Sequence, residues 1–364
     1  MAPAPAGRST RLPGFGNWSV GQLPWPAFFG TALALYASLA VSRIHEVVPF
    51  LGHLYAGKSF GLLLIAAVAV DAGKQEWSRG LKTTVSKCIG AILILAVLSI
   101  PGSVWPRQSV AYFQDQWPQS MLLFICIMVG FANRKTAYVT IAAVTFTAAL
   151  GALEMVVGAA GQWDGRVMIA SESSVTYDAN ATAALLAGLL PYLVMFATQR
   201  GKLRTPAIVA IPLTVIAIVK TVSRGGTVAL GVCAIMLLLL APKKQRKYYV
   251  VLLAVMVAAV FIAPHQGLVE RFSTLSGDQD YNFNARDGRI EVWKRGLGMM
   301  IAHPFLGIGV TAYMYANGAA AHSWVNAHNA FVQIGAELGV GGLIAFTWAV
   351  VGSFRAGWGI RRRT

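Results

Sequence analysis

The chain has 364 residues, 56% of them hydrophobic and only 12% charged, whereas soluble domains carry roughly 25% charged residues. An ordinary soluble globule is excluded. A formal net charge of +16 would point a soluble protein toward nucleic acid, but here the basic residues gather in short stretches between apolar runs, so no nucleic-acid partner is expected.

Met1 to Pro26 contains Arg8, Arg11 and scattered Pro and Gly, without a compact apolar core ending in a small-residue cleavage site. It reads as a retained cytoplasmic tail and not a cleaved signal peptide. Ten apolar segments follow, each near the ~20 residues needed to cross a bilayer: Ala27 to Arg43, His53 to Ala72, Ser86 to Val104, Pro118 to Arg134, Thr136 to Val157, Ala179 to Thr198, Thr205 to Val222, Gly225 to Ala241, Tyr248 to Pro264 and His328 to Val351. The expectation is an all-α polytopic membrane protein with one transmembrane domain over residues 27–351, a long outer-face loop at 265–327 and a basic tail at 352–364. Cys88, Cys126 and Cys233 lie in or beside apolar runs with no paired spacing, which reads as free thiols packed as small apolar residues.

The connections alternate in character. The N-terminal tail, residues 74–87, Arg134-Lys135, residues 200–204, residues 243–247 and the C-terminal tail together hold 19 of the 30 Lys and Arg. Basic loops stay cytoplasmic, so both termini are predicted inside and the intervening connections outside. Trp105, Tyr112, Trp117 and Trp163 then fall near the outer interface, where amphipathic rings concentrate. The tight turn Ser223-Arg224-Gly225-Gly226 and the long loop 265–327 also fall outside, and a loop of that length is a candidate for function. Within it, Ile290 to Met300 has helical spacing, whereas Gly318 to Ser323 reads as flexible.

Four groups on that face carry chemical potential. Arg224 at the membrane edge either snorkels or meets an anion, and Gly225-Gly226 beside it permits close backbone approach. Arg286, Asp287, Gly288, Arg289 and Trp293 place Arg289 one helical turn from both Arg286 and Trp293, either as a phosphate-binding face or as a solvated ion-pair network with Asp287 and Glu291. His328-Asn329 opens the segment carrying Glu337, Gly339 and Gly342. A histidine there can act as a general base, with His322 as competitor, and Gly335, Gly339 and Gly342 read as close-packing positions. Asp178 and Asn180, in Tyr177-Asp178-Ala179-Asn180 after Arg166, most simply cap a helix and secondarily touch substrate. There is no HExxH, Walker loop, GxSxG or His/Cys/Asp metal spacing, so metalloprotease, ATPase and serine-hydrolase readings have no support and no metal or cofactor is expected.

Taken together, Ser223-Arg224-Gly225-Gly226, Gly288-Arg289 with Trp293, His303-Pro304-Phe305-Leu306-Gly307-Ile308-Gly309, His328-Asn329 and Glu337-Leu338-Gly339 resemble the O-antigen ligase/polymerase superfamily. Tyr177-Asp178-Ala179-Asn180 resembles that family's Asp-Pro-Asn-like element, with Ala179 where proline is common. The resemblance covers mainly residues 160–351. It implies glycan transfer from undecaprenyl diphosphate to an acceptor hydroxyl at the periplasmic face of a bacterial inner membrane, without metal or nucleotide. His328 would take the acceptor proton, and Arg224 and Arg289 would hold the diphosphate. Arg286, Trp293, Asp178, Asn180, Glu337 and Arg43 would contact substrate. Acceptors as different as lipid A core, a growing polysaccharide or a protein Ser/Thr fit equally. A transporter or flippase would also explain ten helices, but would be expected to carry ionisable residues near mid-membrane, where these segments are nearly free of charge.

Overall fold

In a computed structural model the described residues are 28–42, 56–71, 80–158, 161–163, 166–168, 178–240, 246–262 and 287–361. Arg43, Arg286 and residues 265–286 of the long outer loop lie outside them. The described residues form thirteen helices and one short hairpin. They are α1 (Phe28–Ser42), α2 (Ala56–Asp71), α3 (Thr84–Ser99), α4 (Pro106–Asp115), α5 (Trp117–Gly130) and α6 (Arg134–Val157). The antiparallel pair β1 (Gly161–Trp163) and β2 (Arg166–Met168) follows. Then come α7 (Ala179–Thr198), α8 (Arg204–Lys220), α9 (Arg224–Leu240), α10 (Arg246–Ile262), α11 (Arg289–Ala302), α12 (Tyr313–Ala321) and α13 (Ala330–Arg361).

Each apolar run coincides with a helix, and local chemistry sets the ends. Thr83 caps α3, accepting from Ser86 N at 3.1 Å, and Asn133 caps α6 by accepting from Lys135 N and Thr136 N, satisfying amides that have no intrahelical partner. Gly158, at φ 86, ends α6, and Lys220 donates to the Met155 and Val156 carbonyls at 2.6 and 3.1 Å. A cation thus meets the negative end of the helix. Three helices, Arg134–Val157, Ala179–Thr198 and Ala330–Gly359, are long and apolar enough to cross a membrane among the described residues. At about 1.5 Å per residue, the 24 residues of α6 exceed the ~30 Å hydrocarbon core. Leu62, Val70, Ile94, Leu150, Val209, Val228 and Leu239 are exposed, as expected of helices that turn apolar side chains to lipid.

Packing divides the helices into neighbourhoods. One core joins α6 to α10 through Met155, Leu186, Leu190, Phe196, Ile211 and Ile218. A second joins α1, α2 and α5 through Phe29, Leu33, Leu64 and Cys126. The third gathers α11, α12 and α13 around Val292, Tyr313 and Ala336, and α13 also packs along α3.

Two elements depart from expectation. Residues 106–115 form a helix with Pro106 in its first turn, where sequence reading had only a connection. Residues 313–321 form α12, so the stretch read as flexible is largely helical up to Ala321; His322 caps it, its N–H donating to the Gly318 carbonyl at 2.7 Å.

The most consequential local feature is a break in α13. Gly339 has φ 69 and ψ −168, a conformation that side chains other than glycine rarely adopt. The break frees backbone groups, and the segment His303–Gly309 fills them. Val340 N donates to Pro304 O at 2.8 Å, while Ile308 N and Gly309 N donate to Ala336 O and Glu337 O at 2.9 and 3.1 Å. The expectation that Gly339 simply permits helix packing is therefore corrected: it turns the backbone. A Cβ there would overlap the Pro304 carbonyl. Gly339→Ala is expected to destabilise by at least the ~1–3 kcal/mol of one strained backbone position, with a lowered thermal midpoint in detergent as the check. An unchanged midpoint would mean that the break is not maintained by glycine.

Candidate functional site

The expected site residues fall into two polar clusters that share no helix. The first is at the N-termini of α7 and α9. Asp178 caps α7, its Oδ1 accepting from Ala181 N at 2.7 Å and its Oδ2 from Asn180 Nδ2 at 3.4 Å. Asn180 Oδ1 accepts from Ser223 Oγ at 2.9 Å, and Ser223 Oγ in turn accepts from Gly226 N at 3.1 Å. Asp178 and Asn180 thus tie the two helix starts together, the capping role that sequence reading ranked first. Arg224 is the first residue of α9, whose first turn holds no acidic residue. It is half-buried, with Nη1 shielded from solvent.

The two glycines after Arg224 do different work. Gly226 is buried, and a Cβ there would overlap Cβ of Ala183 on α7, whereas a Cβ at Gly225 would meet only Ser223 Oγ at 3.9 Å. Gly226→Ala is therefore expected to push α9 off α7, costing about 1–3 kcal/mol as overpacking does, and Gly225→Ala should leave stability nearly unchanged. Thermal midpoints of the two variants in the same detergent check this; equal midpoints would remove the close approach as the reason for Gly226.

The second cluster gathers α11, α12, the segment Ser323–Asn329 and α13. Arg289 is the first residue of α11 and exposed, behind the N-cap Gly288. Trp293, one turn on, is half-buried and donates from Nε1 to the Ala327 carbonyl at 2.8 Å. Its N–H serves the fold. His328 follows Ala327 with φ 48 and is exposed. It does not open the helix as expected: Asn329 Oδ1 accepts from Phe331 N and Val332 N, so Asn329 caps α13 and His328 stands just outside it.

Glu337 has an employment that sequence reading did not assign. The residue is buried. One oxygen accepts from Thr311 N at 2.9 Å, and the other from Gln333 Nε2 at 3.1 Å and Tyr313 N at 3.4 Å. Both oxygens accept hydrogen bonds from the chain itself, so Glu337 pins the segment leading into α12. Nearby, Tyr313 Oη donates to the Val292 carbonyl at 2.6 Å. Burial pushes this phenol up to about 12, with the Glu337 carboxylate adding and the Arg295 guanidinium opposing. Burial likewise raises Tyr112 on α4, again with a contribution from Glu337.

A polar core missed in the sequence stands beside these residues. Arg295 donates from Nε to Asn317 Oδ1 at 2.6 Å and from Nη2 to Ser323 Oγ at 3.4 Å. Asn317 Nδ2 donates to the Ser323 and Val325 carbonyls at 2.7 and 3.1 Å. The available signal was one Asn inside a run of Gly and Ala. Glu291, by contrast, pairs with Lys294 at 2.7 Å on the surface, and that hydrogen bond and charge hold its carboxyl below the usual range. Its partner is Lys294, not Arg289 as in the network weighed for this helix. Among the described residues, no three of His, Cys, Asp and Glu converge as metal ligands.

No curated protein and no solved structure matches the chain. Residues 208–347, which run from α8 through the Gly339 break in α13, match the family model for O-antigen ligase, which supports the resemblance to the O-antigen ligase superfamily.

Proposed function

We propose that this protein transfers a glycan from a polyprenyl-diphosphate carrier to an acceptor hydroxyl at the outer face of a bacterial inner membrane, as an O-antigen ligase or polymerase does. The observation that carries the reading is that the matched region, residues 208–347, contains Arg224, Arg289 and His328 together. His328 accepts the acceptor's hydroxyl proton as that oxygen bonds to the anomeric carbon. The bond from that carbon to the diphosphate breaks, and its electron pair leaves on a diphosphate oxygen, where the charge is met by Arg224 and Arg289.

Electrostatics supports Arg224 as a diphosphate ligand. Arg224 opens α9, where the free backbone N–H groups and positive dipole of a helix N-terminus also favour an anion. Arg134, Arg204 and Arg246 also open helices but are exposed to solvent, whereas Arg224 is half-buried. In this reading the ten helical segments all span, both termini are cytoplasmic, and no metal takes part.

The test is reconstitution in nanodiscs with the lipid-linked glycans of the producing cells and a hydroxyl-bearing acceptor, read as an acceptor mass shift. Transfer is expected to persist in excess chelator. Loss under chelation with recovery on adding a divalent ion would overturn the metal-free account, and absence of transfer to glycan, lipid and protein acceptors alike would overturn the reading itself.

A further inference from the structure

Three aromatic side chains from separate parts of the chain form a row beside the second cluster. The Trp105 and Tyr315 rings stack with centroids 5.2 Å apart and planes 21° apart, and Tyr315 meets Trp324 edge-on at 6.0 Å. Trp105 sits between α3 and α4, Tyr315 on α12, and Trp324 in the segment leading to His328. Trp105 is 41% exposed and Trp324 55% exposed. Neither indole N–H nor the Tyr315 hydroxyl donates a hydrogen bond among the described residues, in contrast to Trp293, which spends its N–H on Ala327.

The row is held in place from behind. Trp324 lies so close to Gly318 that a Cβ there would come within 2.5 Å of the indole ring. On either side of it in sequence, Asn317 takes the Ser323 and Val325 carbonyls, and Arg295 holds Asn317. On the other side, Ser103 Oγ accepts from Trp105 N at 3.1 Å. Aromatic rings that merely anchor a protein in the membrane interface need neither mutual stacking nor a fixed bed.

Resting on the glycan-transfer reading, we propose that Trp105, Tyr315 and Trp324 form a platform for a pyranose ring of the glycan. One face of a pyranose carries axial C–H groups and matches the electron-rich face of an indole, while its hydroxyls match donors left open at the rim. A polyprenyl chain or an acyl tail would use the same apolar area but not the N–H and O–H groups. The platform also continues along the chain to His328, four residues after Trp324, so a sugar stacked there lies on the segment that carries the proposed base.

The experiment is saturation-transfer NMR on the full chain in nanodiscs, with glycans released by mild acid from the polyprenyl-diphosphate pool of the producing cells as probe. Ring C–H protons should receive saturation from the wild-type protein. Trp324→Ala combined with Trp105→Ala should remove the effect, and Trp324→Phe should retain most of it. Donor KM in the transfer assay should rise about tenfold in the alanine variant with kcat little changed. Equal saturation by wild type and the alanine variant, or none by either, would overturn the platform. So would quenching of Trp324 emission by brominated lipids, assigned by difference from Trp324→Phe, because the ring would then face lipid. The two readings fail separately. Saturation without transfer by the wild type would sink the transferase and leave the platform, whereas transfer without saturation would do the reverse.

Discussion

His328→Ala is expected to cut glycan transfer by about 10²–10⁴-fold, the usual range for loss of a general base, while His322→Ala should cost less than about tenfold. The two histidines are more alike in the structure than in the sequence. Both have positive φ, 48 for His328 and 50 for His322, and both are exposed. What separates them is what lies on each side. His328 stands between Ala327, whose carbonyl is held by Trp293, and Asn329, which caps α13. One neighbour is thus tied to α11 and the other caps α13, so the imidazole is placed by the two elements that also carry Arg289 and Glu337. His322 is the C-cap of α12, followed by Ser323, which Asn317 of α12 and Arg295 of α11 hold, and it does not adjoin α13. Single-turnover transfer at matched protein levels in nanodiscs, with thermal midpoints as a folding control, checks the pair. An active His328→Ala protein with an inactive His322→Ala protein would exchange the roles, and activity in both would remove histidine from the mechanism.

The positions of the apolar helices were legible because each is an apolar run closed by charge, glycine or a capping side chain. Ala179–Thr198 agrees residue for residue, since Asp178 announces its start. The helix over Arg289–Ala302 was also legible, because its apolar residues recur at helical spacing. The break at Gly339 was not. In sequence it is one glycine among several in an apolar run, and its meaning depends on His303–Gly309 arriving from elsewhere to fill the opened ladder. Glu337 was given to substrate on the family resemblance, and its hydrogen bonds within the chain were not legible. Its partners Thr311 and Tyr313 lie 26 and 24 residues away and follow no periodic pattern. The Asn180–Ser223 link spans 43 residues and was missed for the same reason. Residue types and local periodicity survive in one sequence, but pairings across turns and breaks do not.

Arg224→Lys and Arg289→Lys are each expected to lower kcat/KM for the lipid-linked donor by about 10²-fold, or ~2.7 kcal/mol of transition-state stabilisation. Lysine keeps the charge but loses the planar fork that grips two phosphate oxygens at once. Arg246→Lys is the control, since Arg246 opens α10 in the same position as Arg224 opens α9 yet is exposed; it should transfer normally. The double variant carries more information than either single one. Arg224 begins a helix packed on α7 and α8, and Arg289 begins one packed on α12 and α13. Nothing in the helix packing requires the two guanidinium groups to serve one ligand. If they clamp the same diphosphate, removing the second fork from a clamp already broken costs little more than removing the first, as with other groups that act as a unit. Arg224→Lys with Arg289→Lys should then lose about 10²–10³-fold. A loss near 10⁴-fold, the product of the single effects, would show that the two arginines act on separate groups. Arg224 would then keep the donor's diphosphate, and Arg289 would have to be assigned to another anion, such as a phosphate on the acceptor.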